Sequence, residues 1–387
     1  MLEADAEVDR REFTVRAALS VAPGERLALF GPSGAGKTTI LETIAGLVPP
    51  RRARIVLAGR LLTSTAKPAV ALPPWQRRVG LLRQDPGLFP HLSVRDNLLY
   101  GRAGTRSEAR SGGMAETVSP VDAGAVGAAE VADLTGILAI DGLLPAMPAR
   151  LSGGQAHRVA LGRLLLSHCD ALLLDEPYAG LDASLRRTLT DLVVSLVARR
   201  GVPAILVAHE LAEAQAFADR LAVLDRGQIL QTGSPGEVVL RPAGRRVAEL
   251  VGYTAFVPVQ GPPPEPTPKP PQDSSMDPGQ EFAPGASASG SVGLVAGIHP
   301  DRVIRGSHPD KGLVLAGVVT SCRPAGALWE IAVRTCGVTV TGRLPEATLT
   351  GRELVMTATD PPCFGADGAS VTTHGPVSRS GQAGVRG

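Results

Sequence analysis

Short apolar runs alternate with helical stretches along the first part of the chain. Four of the runs have the length of strands, namely Leu27–Phe30, Ala171–Leu174, Ala204–Ala208 and Leu221–Leu224. Continuous apolar runs of this length fit strands that are buried on both faces of a parallel sheet. The pattern therefore predicts an α/β unit with a mostly parallel sheet, which we place at residues 1–235.

The pattern changes beyond residue 235. Residues 236–290 are interpreted as a connecting segment and Pro-rich linker, because seven of the ten residues in Pro262–Pro271 are proline and such a run favours an extended spacer. Residues 291–364 carry short β-branched runs between Gly and Pro, which predict a small all-β barrel. Residues 365–387 are expected to be a flexible tail, and residues 103–129, rich in Gly, Ala and Ser, a variable insertion within a helical subdomain.

Composition excludes several classes of function. The chain has 39 Lys and Arg against 37 Asp and Glu, a net charge of +2, so no strong basic field attracts nucleic acid. It has no apolar run of about 20 residues, the length that spans a bilayer. The charged N-terminus lacks the apolar segment of a secretory signal, so we expect none.

The strongest chemical signal follows the first predicted strand. Gly31–Thr38 reads GPSGAGKT, which matches the phosphate-binding pattern GxxxxGK[ST] between a strand and a helix. Glycines let backbone N–H groups curl around phosphate, the lysine puts charge on the β- and γ-phosphates, and the threonine hydroxyl suits Mg²⁺. The predicted ATP-binding residues here are Gly31, Pro32, Ser33, Gly34, Ala35, Gly36, Lys37, Thr38 and Thr39.

Two further motifs belong to the same chemistry. The apolar run from Ala171 ends in Asp175 and Glu176, and a buried strand delivers its last residues to the crevice where ligands bind. Asp175 suits a Mg²⁺ ligand, and Glu176 suits a base that polarises the attacking water.

Leu151–Gln155 reads LSGGQ before a helix, which indicates a second phosphate-facing helix N-terminus, or else a capped surface turn. One nucleotide needs only one phosphate-binding loop, so a second phosphate-binding element implies a site composed of two parts.

This ordered set of motifs resembles the nucleotide-binding subunit of an ABC transporter over roughly residues 8–253. The resemblance implies that Gln84 senses Mg²⁺ and the membrane partner, that Asp182 contacts the opposite subunit, and that His209 lies near the γ-phosphate. It also implies that Phe13 stacks on adenine, although Phe13-Thr14-Val15 also fits a core strand. The signature residues that would act in trans are Ser152, Gly153, Gly154 and Gln155. Four positions depart from the usual pattern: Arg83, His157, Gly180 and Glu210.

A narrower resemblance concerns the transported solute. Arg77–Gly80 and Leu88–Gly101 are similar to molybdate importer ATPases, and residues 291–364, with Gly297–Val303, resemble the TOBE β-barrel of oxyanion, iron, polyamine and sugar importers. The SARN-type oxyanion motif of molybdate-binding barrels is not seen. Sulfate, phosphonate and ferric iron therefore stay open as solutes.

The resemblance implies an ABC-type P-loop ATPase that uses ATP and Mg²⁺ to energise a bacterial importer. We expect it not to bind nucleic acid. Its implied partners are a second copy in a head-to-tail dimer around two nucleotides, separate transmembrane permease subunits and an extracytoplasmic solute-binding protein. The implied location is peripheral, at the cytoplasmic face of the inner membrane. The rivals are a soluble ABC ATPase without a transport role, and a silent regulatory module.

Overall fold

The structure is a computed structural model in which the chain divides into two compact units, Met1–Val238 and Val239–Gly387. It describes residues 1–103, 125–260, 294–371 apart from 309, 311, 336, 349 and 366, and 378–379. The predicted Pro-rich linker and most of the predicted insertion at 103–129 lie outside the described residues.

An eleven-stranded sheet forms the centre of the first unit. Its strands are β1 Leu2–Asp9, β2 Thr14–Val21, β3 Arg26–Phe30, β4 Arg52–Leu57, β5 Arg60–Ser64, β6 Val70–Ala71, β7 Val79–Leu82, β8 Ala171–Asp175, β9 Ala204–Ala208, β10 Arg220–Asp225 and β11 Gln228–Gly233. They lie in the order β6-β5-β4-β1-β2-β11-β10-β3-β9-β8-β7.

The sheet is mixed rather than mostly parallel. Strands β10, β3, β9, β8 and β7 pair in parallel, each with its neighbour in this order, whereas β1, β2, β4, β5 and β6 form antiparallel pairs. Short turns join β1 to β2 and β4 to β5, and short turns permit only antiparallel neighbours. The alternating burial of β1 reflects one face on the core, while β8 and β9 are buried throughout.

Helices flank this sheet and form a helical subdomain beside it. They are α1 Lys37–Ala45, α2 Val94–Ala103, α3 Ala125–Ile137, α4 Gly153–Leu166, α5 Ala183–Arg200, α6 Leu211–Phe217 and α7 Pro235–Leu240, which crosses the unit boundary. In the subdomain α4 packs closely on its neighbours, because a Cβ at Gly162 would lie 2.7 Å from Leu98 and 2.8 Å from Leu138. No helix among the described residues has both the length and the apolar character needed to cross a bilayer.

In the described part of the second unit the structure is β, as predicted, apart from the end of α7, α8 Arg245–Leu250 and a 3₁₀ helix at Pro300–Arg302. Its two five-stranded sheets have the orders β20-β19-β13-β12-β21 and β14-β18-β15-β16-β17. The strands are β12 Ala255–Gln260, β13 Leu294–Ile298, β14 Val303–Arg305, β15 Gly312–Ala325, β16 Leu328–Thr335, β17 Val338–Leu344, β18 Glu353–Thr359, β19 Cys363–Phe364, β20 Ser370–Val371 and β21 Ser378–Arg379.

The limits of this second unit differ from those predicted. Strand β12 lies in the predicted connecting segment and pairs with β13 along its length. Strand β20 lies in the predicted flexible tail and pairs with β19. Both strands are therefore parts of the all-β unit.

Candidate nucleotide-binding site

The phosphate loop connects β3 to α1 at the carboxyl end of the parallel strands. Gly31 and Gly36 have no room for a side chain, since a Cβ would lie 1.9 Å from the Leu224 carbonyl oxygen at Gly31 and 2.7 Å from Val15 at Gly36, where φ is also +105°. Gly36 precedes α1 without a side-chain capping bond. The first N–H groups of α1 therefore face the loop without a cap, as an anion site requires.

Lys37 folds back onto this loop. Its Nζ donates to the carbonyl oxygens of Gly31 and Pro32 at 2.7 and 2.8 Å, and the residue is only 5% exposed. Burial lowers the pKa of Lys37, and the carboxylates of Glu176 and Asp175 oppose that shift. The ammonium can exchange these carbonyl contacts for phosphate oxygens without moving to a new part of the site.

Asp175 lies at the end of β8 with an unsatisfied carboxylate. The residue is 2% exposed, its Oδ1 has no hydrogen-bond partner, and its side chain meets the Thr38 hydroxyl. Burial raises the pKa of Asp175, and the Thr38 hydrogen bond opposes the rise. An orphaned carboxylate oxygen beside a hydroxyl fits Mg²⁺, which takes few protein ligands and completes its shell with water and phosphate.

Glu176 stands between side chains from two other strand ends. Its carboxylate accepts a hydrogen bond from Gln84 Nε2 and contacts His209 Nε2. Gln84 follows β7 and His209 follows β9, so the parallel register of β7, β8 and β9 brings the three together. Glu176 has a φ of +53°, a strained conformation for a non-glycine residue that directs its side chain out of the strand's path.

One cleft of about 580 Å³ brings Lys37, Gln84, Glu176 and His209 together, and Asp175 is not among the residues that line it. Of the predicted residues, those lining it are Phe13, Ser33, Gly34, Gly36, Lys37, Thr38, Thr39, Gln84, Glu176 and His209. The carbonyl oxygens of Gly31 and Pro32 accept hydrogen bonds from Lys37 Nζ, and Ala35 is buried. Phe13 lines the cleft and also packs against the core cluster of the sheet, and its stacking on adenine stays a prediction.

The turn between β1 and β2 adds three cleft residues that no motif indicated: Arg10, Arg11 and Glu12. The signal in the sequence was the arginine pair Arg10-Arg11, which Glu12 separates from Phe13. They line the cleft because the hairpin places its turn beside α1.

The signature residues lie elsewhere in this copy of the chain and do not line the cleft. Ser152 caps α4 in a capping box, in which Ser152 Oγ accepts from the Gln155 amide at 3.3 Å and Gln155 Oε1 accepts from the Ser152 amide at 2.8 Å. A Cβ at Gly153 or Gly154 would meet nothing within 4 Å. Asp182 caps α5 through the Ser184 and Leu185 amides, both at 3.0 Å. The capped-turn interpretation thus describes this copy, while the open face of the glycines leaves room for an anion.

Comparison with known proteins adds to this geometry. Residues 15–179 match the ABC transporter family. A solved structure titled as the ATP binding subunit of an ABC transporter superposes with a TM-score of 0.51 and 24% identity, covering 66% of this chain and 95% of that one. The first unit has the fold of an ABC-type ATP-binding domain.

The chain is also similar to several import proteins. A Fe(3+) ions import ATP-binding protein of Pseudomonas fluorescens is 39% identical over 62% of this chain and 63% of its own length. A sulfate/thiosulfate import ATP-binding protein of Chromobacterium violaceum is 41% identical over 63% and 61%. A spermidine/putrescine import ATP-binding protein of Pseudomonas aeruginosa is 37% identical over 62% and 60%. The chain spans less than two thirds of the length of these relatives.

Proposed function

We propose that the chain hydrolyses ATP and that its ABC-type domain energises a bacterial importer. The observation that carries the proposal is the meeting of Glu176 with Gln84 and His209 at the cleft that also holds Lys37 and Thr38. These groups have the charge and the chemistry that phosphoryl transfer to water needs.

Binding would begin at the loop. The backbone N–H groups at the N-terminus of α1 would donate to the phosphates of ATP. Lys37 would exchange its two carbonyl contacts for the β- and γ-phosphate oxygens. Thr38, Asp175 and Gln84 would hold Mg²⁺, which supplies charge neutralisation for the phosphates when bound. Asp175 then gains a partner for the carboxylate oxygen that has none.

Hydrolysis would use Glu176 as the general base. Glu176 accepts a proton from water as the water oxygen bonds to the γ-phosphorus and the bond to the β-phosphate oxygen breaks, releasing ADP and phosphate. His209 contacts the same carboxylate and orients it beside the γ-phosphate. The exposed Gln84 links the site to the surface where a membrane partner would dock.

A second copy would complete the site. Ser152–Gln155 do not line the cleft of their own chain, and the glycines after Ser152 present an open face. We assign this face to the nucleotide of the opposite copy in a head-to-tail dimer, with Asp182 at the same interface.

Transport would need permease subunits and an extracytoplasmic binding protein, with this chain peripheral at the cytoplasmic face of the inner membrane. We propose molybdate or a related oxyanion as the solute, supported by the resemblance of Leu88–Gly101 to molybdate importer ATPases. The relatives named for sulfate/thiosulfate and for ferric iron support those two ions as the alternatives. The second unit is proposed to be a TOBE-like domain.

Uptake of labelled solute tests the whole proposal. Cells of the source organism that lack this chain are supplied with the wild type or with Lys37→Ala, and radiolabelled molybdate is measured with tungstate or sulfate as competitor. We expect uptake only with the wild type and competition by tungstate. If sulfate competes as well, the proposed range of solutes widens to sulfate-type ions. If cells without the chain lose iron uptake and keep molybdate uptake, the oxyanion assignment is contradicted. Equal uptake of every ion with both variants contradicts the importer.

A further inference from the structure

We propose that Arg10 is a second cationic ligand for the nucleotide, and that it contacts the phosphate nearest the ribose. The inference rests on the proposed nucleotide binding and adds a contact that the phosphate-loop motif does not contain. Arg10 lies in the β1–β2 turn and lines the cleft together with Phe13 and Thr39.

The guanidinium of Arg10 is already directed at the start of α1. Nε and Nη2 both donate to Thr39 Oγ1, at 3.0 and 2.7 Å, and this hydroxyl is on the third residue of the helix. The Arg10 side chain is 40% exposed, so one edge of the guanidinium holds Thr39 while the rest faces the cleft. A guanidinium has five N–H donors in a planar fork, and two of them account for the Thr39 contacts.

The charges around Arg10 leave positive charge for a ligand. Among the described residues, Arg10 forms an ion pair with Glu42, whose carboxylate lies 3.9 Å from Nη2. The same carboxylate lies 3.2 Å from Arg83, so one Glu42 charge faces two guanidinium groups. The cleft itself is lined by Arg10, Arg11 and Lys37 against the carboxylates of Glu12 and Glu176. The remaining excess of positive charge favours an anion, and a planar guanidinium is well suited to phosphate oxygens.

The position of Arg10 in the cleft selects the phosphate. Lys37 is at the loop, next to the carboxylates of Asp175 and Glu176, where the terminal phosphates would react. Arg10 instead donates to Thr39, two residues after Lys37 on α1, and is three residues from Phe13, the proposed adenine contact. A nucleotide that runs from Phe13 to Glu176 passes Arg10 with its first phosphate. Arg10 therefore serves ADP and ATP alike, whereas Glu176 and His209 serve the γ-phosphate.

The test compares affinities of the full chain for Mg-ADP and Mg-ATP by titration calorimetry. In Arg10→Met, and in Arg10→Gln as a second variant, we expect both dissociation constants to rise about tenfold, the loss expected for one partly exposed charged hydrogen bond. The matched control is Arg51→Met, which removes a guanidinium paired with Asp9 at 3.7 Å and outside the cleft. Arg51→Met should bind both nucleotides like the wild type.

The outcomes separate this inference from the function on which it rests. Wild-type affinity in both Arg10 variants would show that Arg10 only braces Thr39, and would overturn the inference. A loss confined to ATP would move Arg10 to the terminal phosphate and also overturn it. A wild-type chain that binds neither nucleotide overturns the proposed function itself, and the inference falls with it. Melting of the nucleotide-free variants confirms that each is folded when its affinity is measured.

Discussion

Asp175 keeps a carboxylate out of contact with water. Its carboxylate is buried at the end of β8 with one oxygen unsatisfied, and an unpartnered buried polar atom costs stability. Because burial raises the pKa of Asp175, the folded state binds its proton more tightly than the unfolded state. The ionised side chain therefore destabilises the ligand-free protein once the pH exceeds the ordinary carboxyl pKa.

Asp175→Asn should relieve this cost. We expect the free energy of unfolding of the ligand-free chain at pH 7.5 to rise by about 1 kcal/mol, because a neutral amide replaces a buried charge. The increase in melting temperature that Mg²⁺ adds in the presence of ATP should disappear. Denaturant titrations and melting curves measure both effects.

The control for this change is Asp170→Asn, just before β8. The Asp170 side chain is 39% exposed and pairs with Arg78 at 3.1 Å, so its replacement should leave the Mg²⁺ response intact. An Asp175→Asn chain that keeps that response contradicts the metal role.

The residues that the sequence predicted and those it did not differ in one physical respect. Lys37 and Glu176 belong to short motifs whose spacing is set by the backbone chemistry of one loop or one strand end. Arg10 gains its place from a hairpin that lies beside α1, and no local pattern encodes that approach. Phe13 was left between adenine contact and core; in the structure it packs against the core and lines the cleft, and the adenine contact stays a prediction.

Helix α6 begins two residues after His209 and carries a titratable carboxyl, that of Glu213. Burial raises the pKa of Glu213 to about 7, and Arg186 and the backbone of His209 oppose the rise. Between pH 4.5 and 7 the unfolded chain ionises this group while the folded chain keeps the proton. The free energy of unfolding therefore falls as the pH rises through this window.

Glu213→Gln should remove that dependence. The amide keeps the shape and cannot ionise, so the variant should gain on the order of 2 kcal/mol over the wild type between pH 4.5 and 7.5. Urea midpoints at the two pH values measure the difference. Parallel profiles for the two proteins would contradict the raised pKa.

Elements were predicted best where burial is complete on both faces. The run Ala171–Leu174 became β8, and Ala204–Ala208 became β9 with the same bounds, because a continuous apolar run has one stable place in a layered α/β unit. Strand β12 was not predicted, because its partner β13 begins at Leu294, beyond the Pro-rich segment. Pairing over such a distance leaves no periodic signal.

At the scale of the molecule, the two compact units allow the ABC-type domain to be tested alone. A fragment of residues 1–240 keeps α7 whole and all of the cleft residues. We expect it to fold and to bind ATP within about threefold of the full chain, because no cleft residue comes from the second unit. Calorimetry on both proteins measures this, and a tenfold weaker fragment would mean that the second unit supports the cleft.

The proposed dimer makes its own prediction. Ser152→Arg fills the open face of the signature, and Lys37→Ala disables the phosphate loop, so neither variant should hydrolyse ATP alone. A mixture should recover activity, because a mixed pair has one cleft with an intact loop from one copy and an intact signature from the other. Steady-state ATPase assays over a range of mixing ratios measure the recovery. Its complete absence would indicate that each chain holds a whole site.

The claim at the centre of this account is that Glu176 takes the proton of the attacking water. The most direct measurement is the Mg-ATP turnover of the full chain in Glu176→Gln, with ATP affinity determined on the same preparation and Lys37→Ala as the background control. We predict that turnover falls at least about 100-fold, the usual contribution of a general base, while ATP affinity stays within about twofold. Turnover near that of the wild type, with ATP bound, would contradict the account.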